Sequence, residues 1–211
     1  MNKKRILEVL AELKKAPKRK FTQSYDLIIN LKNVNVKQTP IDFFVTMPNL
    51  KGKDIKLVAF VGPELAEQAK QVFDVVITET DFKNYDIKAM KRLAKTHDYF
   101  IAQATLMPKV AAAFGKVLGT SGKMPNPKLG CVVPPNAQLA ALKDKLTKTV
   151  KMSAKKATNL QCLVGKEDMD DDVIADNVMS VYNSTLRQVP NDTQNIKKVQ
   201  LKLTMGKPID L

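Results

Sequence analysis

This 211-residue chain offers one histidine and two cysteines for covalent or metal chemistry, and none has a partner at a useful spacing. His97 stands just ahead of an expected strand, with no Cys or Ser beside it in sequence to form an acid–base or nucleophile pair, so a structural role is expected. Cys131 and Cys162 are too few for a disulfide framework and are not spaced as metal ligands; buried thiols are expected. Dinucleotide binding needs a glycine cluster at a strand-to-helix turn, and the candidate turn carries only Gly62. The phosphate-loop spacing fails too, because Thr120 lies five residues beyond Gly115 and Met124 five beyond Gly119. Asp168, Asp170 and Asp172 alternate like the start of a calcium loop. The required glycine is replaced by Val173 and the closing glutamate by Met179, so these acids read as helix-start residues instead. No metal and no cofactor is expected.

What remains is the chemistry of polyanion recognition. Lys18, Arg19 and Lys20 form a basic turn able to neutralise phosphates. Phe21 can stack on a base or ribose; its competing reading is first core residue of a strand. Thr204 offers a hydroxyl to a 2′-OH, and Gly206 lets a sugar approach the backbone, although strand-end glycines commonly serve only the turn. Asp26 is unexpected near phosphate unless it accepts a hydrogen bond from a guanine edge or 2′-OH, or orients a cation. Met205 falls in the inward set of the last strand. The stretch Gly119 to Gly130, with two prolines and three glycines, reads as a rigid loop made cationic by Lys123 and Lys128.

The elements that position these residues follow from periodicity. A first helix is expected over Lys3 to Ala16, with Ile6, Leu7, Leu10 and Leu13 on one stripe and Pro17 as its stop. Period-two alternation then puts Tyr25, Leu27, Ile29 and Leu31 on one face, with Asp26, Ile28, Asn30 and Lys32 on the other. A second strand spans Ile41 to Met47. From Lys51 the pattern changes to strand–helix alternation. Strands are expected at Ile55 to Val61, Val75 to Ile77 and Tyr99 to Ile101. Helices are expected after Gly62-Pro63-Glu64, near Asp86 to Lys95, over Lys109 to Leu118 with Gly119 as the stop, and near Ala137 to Leu146. After about Val150 the antiparallel style returns, with a strand at Leu160 to Val164, a helix at Asp172 to Leu186 and a closing strand through Val199, Leu201, Leu203 and Met205. The expected architecture is a split α+β domain, residues 1–50 and 150–211, with a Rossmann-like α/β domain, residues 51–149, inserted across a two-strand hinge.

Composition sets the partner class. The formal charge is +14 and hydrophobic residues make up 44%, enough for real cores; aromatics are only 6%, so aliphatic cores are expected. Residues 1–50 carry ten Lys/Arg against four Asp/Glu, residues 51–149 sixteen against nine, and residues 150–211 nine against eight. The N-terminus lacks a secretory apolar region and no run approaches the ~18 residues of a membrane span, so a cytoplasmic protein is expected.

Three motifs in register carry a resemblance across essentially the whole chain. Leu118-Gly119, Gly122 and Met124-Pro125-Asn126-Pro127-Lys128 resemble the signature of the ribosomal protein L-one family. Lys20-Phe21-Thr22-Gln23-Ser24 is similar to its first RNA-contacting stretch, in an archaeal or eukaryotic wording, and Leu203-Thr204-Met205-Gly206 to its closing motif. The family usually has Pro-Arg where this chain has Thr120-Ser121, which removes one loop cation. The resemblance implies a non-enzymatic constituent of the large ribosomal subunit that binds large-subunit rRNA, forms a mobile stalk and helps deacylated tRNA leave the exit site. It also implies repression of its own mRNA through the leader, and a monomer off the ribosome. The RNA site it implies comprises Lys20, Phe21, Ser24, Asp26, Lys202, Thr204, Met205 and Gly206, with secondary contacts from Arg19, Gly119, Gly122, Lys123 and Lys128. The competing reading is an α/β enzyme acting on an anionic metabolite in the inserted domain's crevice.

Overall fold

The computed structural model describes residues 1–17, 19–36, 38–155 and 157–211, so Lys18 of the basic turn lies outside the described residues. In chain order the helices are α1 (Lys3–Leu13), α2 (Pro63–Val72), α3 (Ile87–Thr96), α4 (Met107–Thr120), α5 (Leu139–Lys148) and α6 (Asp171–Leu186). The strands are β1 (Ser24–Leu31), β2 (Ile41–Thr46), β3 (Leu57–Phe60), β4 (Val75–Ile77), β5 (Tyr99–Gln103), β6 (Val132–Val133), β7 (Thr149–Ala154), β8 (Asn159–Lys166), β9 (Ile196–Leu203) and β10 (Ile209–Asp210). The fold is α/β, and the chain forms two compact units, residues 1–53 with 147–211 and residues 54–146.

In the first unit an antiparallel sheet runs β10-β9-β1-β8, with a separate ribbon of β2 and β7. Strand β1 is central and alternates strictly in burial. Tyr25, Leu27, Ile29 and Leu31 enter a core shared with Ile6, Val9 and Leu10 of α1 and Ile174, Val178 and Val181 of α6. The intervening residues stay half-exposed on the open face. Helix α1 stops at Leu13, three residues short of the expected Ala16. Pro17 disfavours helical geometry at Ala16, and the last turn tightens into bonds from Lys15 N–H to the Glu12 carbonyl and from Ala16 N–H to the Leu13 carbonyl. The acids at the start of α6 also pair with α1, Lys3 with Asp172 and Asp176 at 3.2 and 2.7 Å and Lys14 with Asp171 at 2.7 Å. The Lys3 pairs are solvent-exposed and contribute little each, while the Lys14–Asp171 pair is partly buried.

The second unit is a parallel sheet, β4-β3-β5-β6, with helical crossovers. Its core is mostly aliphatic, as expected, but holds a cluster of three buried phenylalanines. Phe60 lies 4.8 Å from Phe114 and 6.1 Å from Phe100 between ring centroids, with Phe82 and Tyr85 at the edge. The chain's few aromatics are concentrated here. Helix α4 runs through Gly119 to Thr120 instead of stopping at the glycine. The Thr120 hydroxyl donates to the Lys116 and Val117 carbonyls, and the Ser121 hydroxyl to the Val117 carbonyl at 2.8 Å. Gly122, at φ +64°, then closes the helix, letting Lys123 N–H reach back to the Leu118 carbonyl. A proline at position 120 would supply no N–H and no such hydroxyl.

Candidate nucleic-acid interface

The N-terminal end of β1 and the C-terminal end of β9 lie side by side, Tyr25 opposite Leu203, and here the sequence motifs converge. Thr204 N–H donates to the Ser24 carbonyl at 3.0 Å. The Thr204 hydroxyl accepts from Ser24 N–H at 3.1 Å and donates to the Ser24 carbonyl at 3.3 Å, so much of its hydrogen-bonding capacity is already engaged. Gln23, almost fully buried, ties in a third segment. Its side-chain carbonyl accepts from Met205 N–H at 3.2 Å, its backbone carbonyl from Glu167 N–H at 2.9 Å, and its own N–H donates to the Glu167 carboxylate.

This clamp holds two large apolar side chains in solvent. Phe21 is 52% exposed, which overturns its reading as a core residue of the strand. Met205 is 62% exposed and lies in the turn after β9, which corrects its assignment to the inward set; the strand ends at Leu203, where the pairing with β1 runs out. Gly206 belongs to that turn. Its N–H donates to the Leu203 carbonyl, and a Cβ would stand 3.2 Å from Leu203 Cβ and 3.4 Å from its nitrogen. The turn itself therefore asks for glycine.

Cations border the clamp. One groove of about 520 Å³ is lined by Lys14, Arg19, Lys20 and Phe21 with Glu167 and Asp168. Another of about 570 Å³ is lined by Pro17, Arg19, Met205, Gly206 and Lys207. Arg19 borders both. On the open sheet face, Asp26 and Lys202 are register partners. Burial lifts the Asp26 carboxyl above the ordinary aspartate range, and the neighbouring Lys202 charge only partly offsets this. The buried Cys162 thiol is pushed up to about 12, first by desolvation and then by Asp26, and Cys131 to about 11 by desolvation; neither is a reactive thiolate at neutral pH.

Arg19, Lys20, Phe21, Ser24, Thr204, Met205 and Gly206 are thus brought together, with Asp26 and Lys202 further along the same sheet. The remaining expected residues lie on the second unit. Gly119 and Gly122 leave open space where a Cβ would be, Lys128 is exposed, and Lys123 is committed through its Nζ to the His97 carbonyl at 2.6 Å. Buried His97 closes α3, its Nδ1 lying 2.8 Å from the Thr96 hydroxyl. Sequence reasoning missed Glu167, Lys207 and the clamping role of Gln23. Only Gln23 left a signal, as a polar residue between Phe21 and Tyr25 in the approach to a strand.

Where β3 turns into α2, Gly62 N–H donates at 2.7 Å to the side-chain carbonyl of buried Gln103, which takes the place a ligand phosphate would need. Among the described residues no group of His, Cys, Asp and Glu is arranged to hold a metal, and no helix is long and apolar enough to cross a membrane.

A split antiparallel unit with a cation-bordered strand end, joined to a parallel-sheet unit, defines a two-unit α/β protein. A sequence model of the Ribosomal protein L1p/L10e family matches residues 13–207. The chain is 42% identical over 204 residues to the large ribosomal subunit protein uL1 of Nanoarchaeum equitans, covering 95% of this chain and 96% of that protein. It is 36% identical to the uL1 of Methanothermococcus thermolithotrophicus and 34% to that of Thermoplasma acidophilum, in both cases over 100% of this chain and at least 97% of the relative. The chain belongs to the Ribosomal protein L1p/L10e family: it is a structural ribosomal protein and not an enzyme, and it works with the ribosome in the cytoplasm.

Proposed function

We propose that this protein sits in the large ribosomal subunit and binds large-subunit rRNA directly through the β1–β9 platform of its first unit. The observation that carries this reading is the pair Phe21 and Met205, exposed beside a hydrogen-bonding clamp centred on buried Gln23 and bordered by Arg19, Lys20 and Lys207. Exposed apolar side chains among cations suit a partner with stackable bases and a phosphate backbone. Lys20 and Arg19 meet phosphate, Phe21 stacks, and Ser24, Thr204 and Gly206 present backbone and hydroxyl groups to sugar. Asp26 accepts from a base edge or 2′-OH beside Lys202. Its carboxylate is disfavoured by burial in the free protein, a cost that a hydrogen-bond donor from RNA removes.

The resemblance of the three motifs supports the wider role. The protein forms the mobile stalk with its rRNA, helps deacylated tRNA leave the exit site, and represses its own mRNA through the leader. Off the ribosome it is a monomer. The loop residues Gly119, Gly122, Lys123 and Lys128 add secondary contacts, weaker where Thr120-Ser121 replaces the family's Pro-Arg.

Crosslinking in cells followed by sequencing of the bound RNA tests the partner: recovery should centre on one large-subunit rRNA region, and an absence of rRNA would sink the proposal. Phe21→Ala tests the site. An exposed phenylalanine leaves thermal stability nearly unchanged on removal, while the lost stacking should weaken rRNA stem-loop binding by about 1–3 kcal/mol. Unchanged affinity would remove Phe21 from the interface.

A further inference from the structure

The net positive charge of the second unit resides in one helix. Between residues 54 and 146 there are thirteen Lys/Arg and nine Asp/Glu; four of those cations and none of those acids lie in α3. The other nine cations of the unit are matched by its nine carboxylates. Lys88, Lys91, Arg92 and Lys95 follow one another at three-, four- and seven-residue spacings, so they share a face, opposite buried Met90 and Ala94. All four are exposed, and among the described residues none is in an ion pair. The flanking acids are occupied by backbone. Asp86 caps α3, accepting from Ala89 N–H at 2.7 Å, and Asp98 accepts from Lys56 N–H at 3.1 Å.

This arrangement works against the isolated helix. The cations repel one another along the face, and Lys88 sits in the first turn, at the positive end of the helix dipole. A polyanion lying along the face converts both penalties into attraction. We propose that this face of α3 is a second RNA-docking surface, separate from the β1–β9 platform, which takes the phosphate backbone of an RNA duplex. From Lys88 to Lys95 the helix rises about 10 Å, and a duplex carries roughly one phosphate per 1.7 Å of axis, so four cations meet several phosphates at once. The face is almost all cation, with only Ile87 as an exposed apolar side chain at its start. Protein–protein interface cores are depleted in lysine, so a backbone of phosphates fits better than an acidic protein segment.

The test uses the full chain and a labelled mixed-sequence RNA duplex of about 20 base pairs, titrated between roughly 50 and 200 mM salt. The variant K88Q/K91Q/R92Q/K95Q should lower the slope of log affinity against log salt by about 3, at 0.7–0.9 per phosphate contact. K56Q/K70Q/K116Q/K145Q removes the same charge from scattered positions of the same unit and should lower it by less than about 1. K88R/K91R/K95R keeps the charge and should keep the slope. Glutamine is a good helix former, so circular dichroism should be unchanged. If the fourfold variant nevertheless unfolds, K88Q/K91Q and R92Q/K95Q give the answer separately, at about half the effect each. Binding of the large-subunit stem-loop, measured in parallel, reports the platform of the first unit and should change far less. Equal losses in the two glutamine sets would show a diffuse field and overturn the proposal. So would an unchanged slope, or duplex binding that persists while binding of a glutamate-rich peptide is lost.

Discussion

Both units bring a strand to its end beside a glycine, and they treat the ends oppositely. In the second unit the Gly62 N–H is buried and spent on the Gln103 side chain. In the first, the backbone around Gly206 and Thr204 is also satisfied internally, by exposed Ser24–Thr204 bonds and by buried Gln23, while Phe21 and Met205 project into solvent. Internal hydrogen bonding therefore does not by itself decide whether a strand end can bind. What sets the two ends apart is that large apolar side chains, Phe21 and Met205, stand exposed at one of them.

The strongest way to break this comparison is to remove charge from the open end. Replacing Arg19, Lys20 and Lys202 together with glutamine should lower the salt slope of rRNA stem-loop binding by about 2–3, on the order of a 10²-fold affinity loss near physiological salt. Arg19 and Lys20 are exposed and their loss should barely move thermal stability, while loss of half-buried Lys202 should cost a little at neutral pH by leaving the Asp26 carboxylate uncompensated. Filter binding across a salt series checks this, and an unchanged slope would mean the platform is not the phosphate contact. The closed end should behave in the converse way. Gln103→Ala leaves the buried Gly62 N–H unpaired and should cost about 1–3 kcal/mol of stability in chemical denaturation, with no change in stem-loop affinity. If affinity fell while stability held, the crevice would be a ligand site after all.

How far the sequence carried these two ends differs in an instructive way. The α/β class, the change to strand–helix alternation near Lys51 and the strict face of β1 were legible because period two and period 3.6 are properties of short local windows. The family and the platform motifs were legible because those motifs are contiguous. Met205 was misassigned because alternation continues in sequence past the point where β9 loses its partner, and a partner's end is a long-range fact. Helix α4 outran Gly119 because the Thr120 and Ser121 hydroxyls turn back onto the helix, which spacing does not reveal. Glu167 and Gln103 reach their partners across 144 and 41 residues and left no local trace. The phenylalanine cluster within the second unit's core escaped notice because a low overall aromatic content says nothing about where the aromatics collect.

The smallest expected effect sharpens the comparison through pH. The Asp26 carboxyl titrates above its ordinary range in the folded protein, so folding disfavours its charged form. Stability from this group is therefore fullest in acid, below the ordinary aspartate range. It is lost as pH rises from there through the raised folded value. Asp26→Asn should remove that loss. The variant should equal or slightly exceed the parent near pH 7 and converge with it near pH 3, read from denaturant midpoints. A variant clearly less stable at neutral pH would mean that the carboxylate holds the sheet together through Lys202.

The central place of β1 has a consequence for how the protein is made. Both neighbours of β1, β8 and β9, come from the far end of the chain, and 127 residues separate Leu31 from Asn159. At about 5–20 residues per second of synthesis, β1 waits roughly 6–25 seconds with both hydrogen-bonding edges unsatisfied, while the residues of the second unit emerge as one uninterrupted stretch. The nascent chain carries Phe21 and its cations early, but the platform lacks its other half until Thr204 to Gly206 have left the tunnel. A polypeptide aborted anywhere before that point cannot compete with its finished copies for RNA that the platform binds.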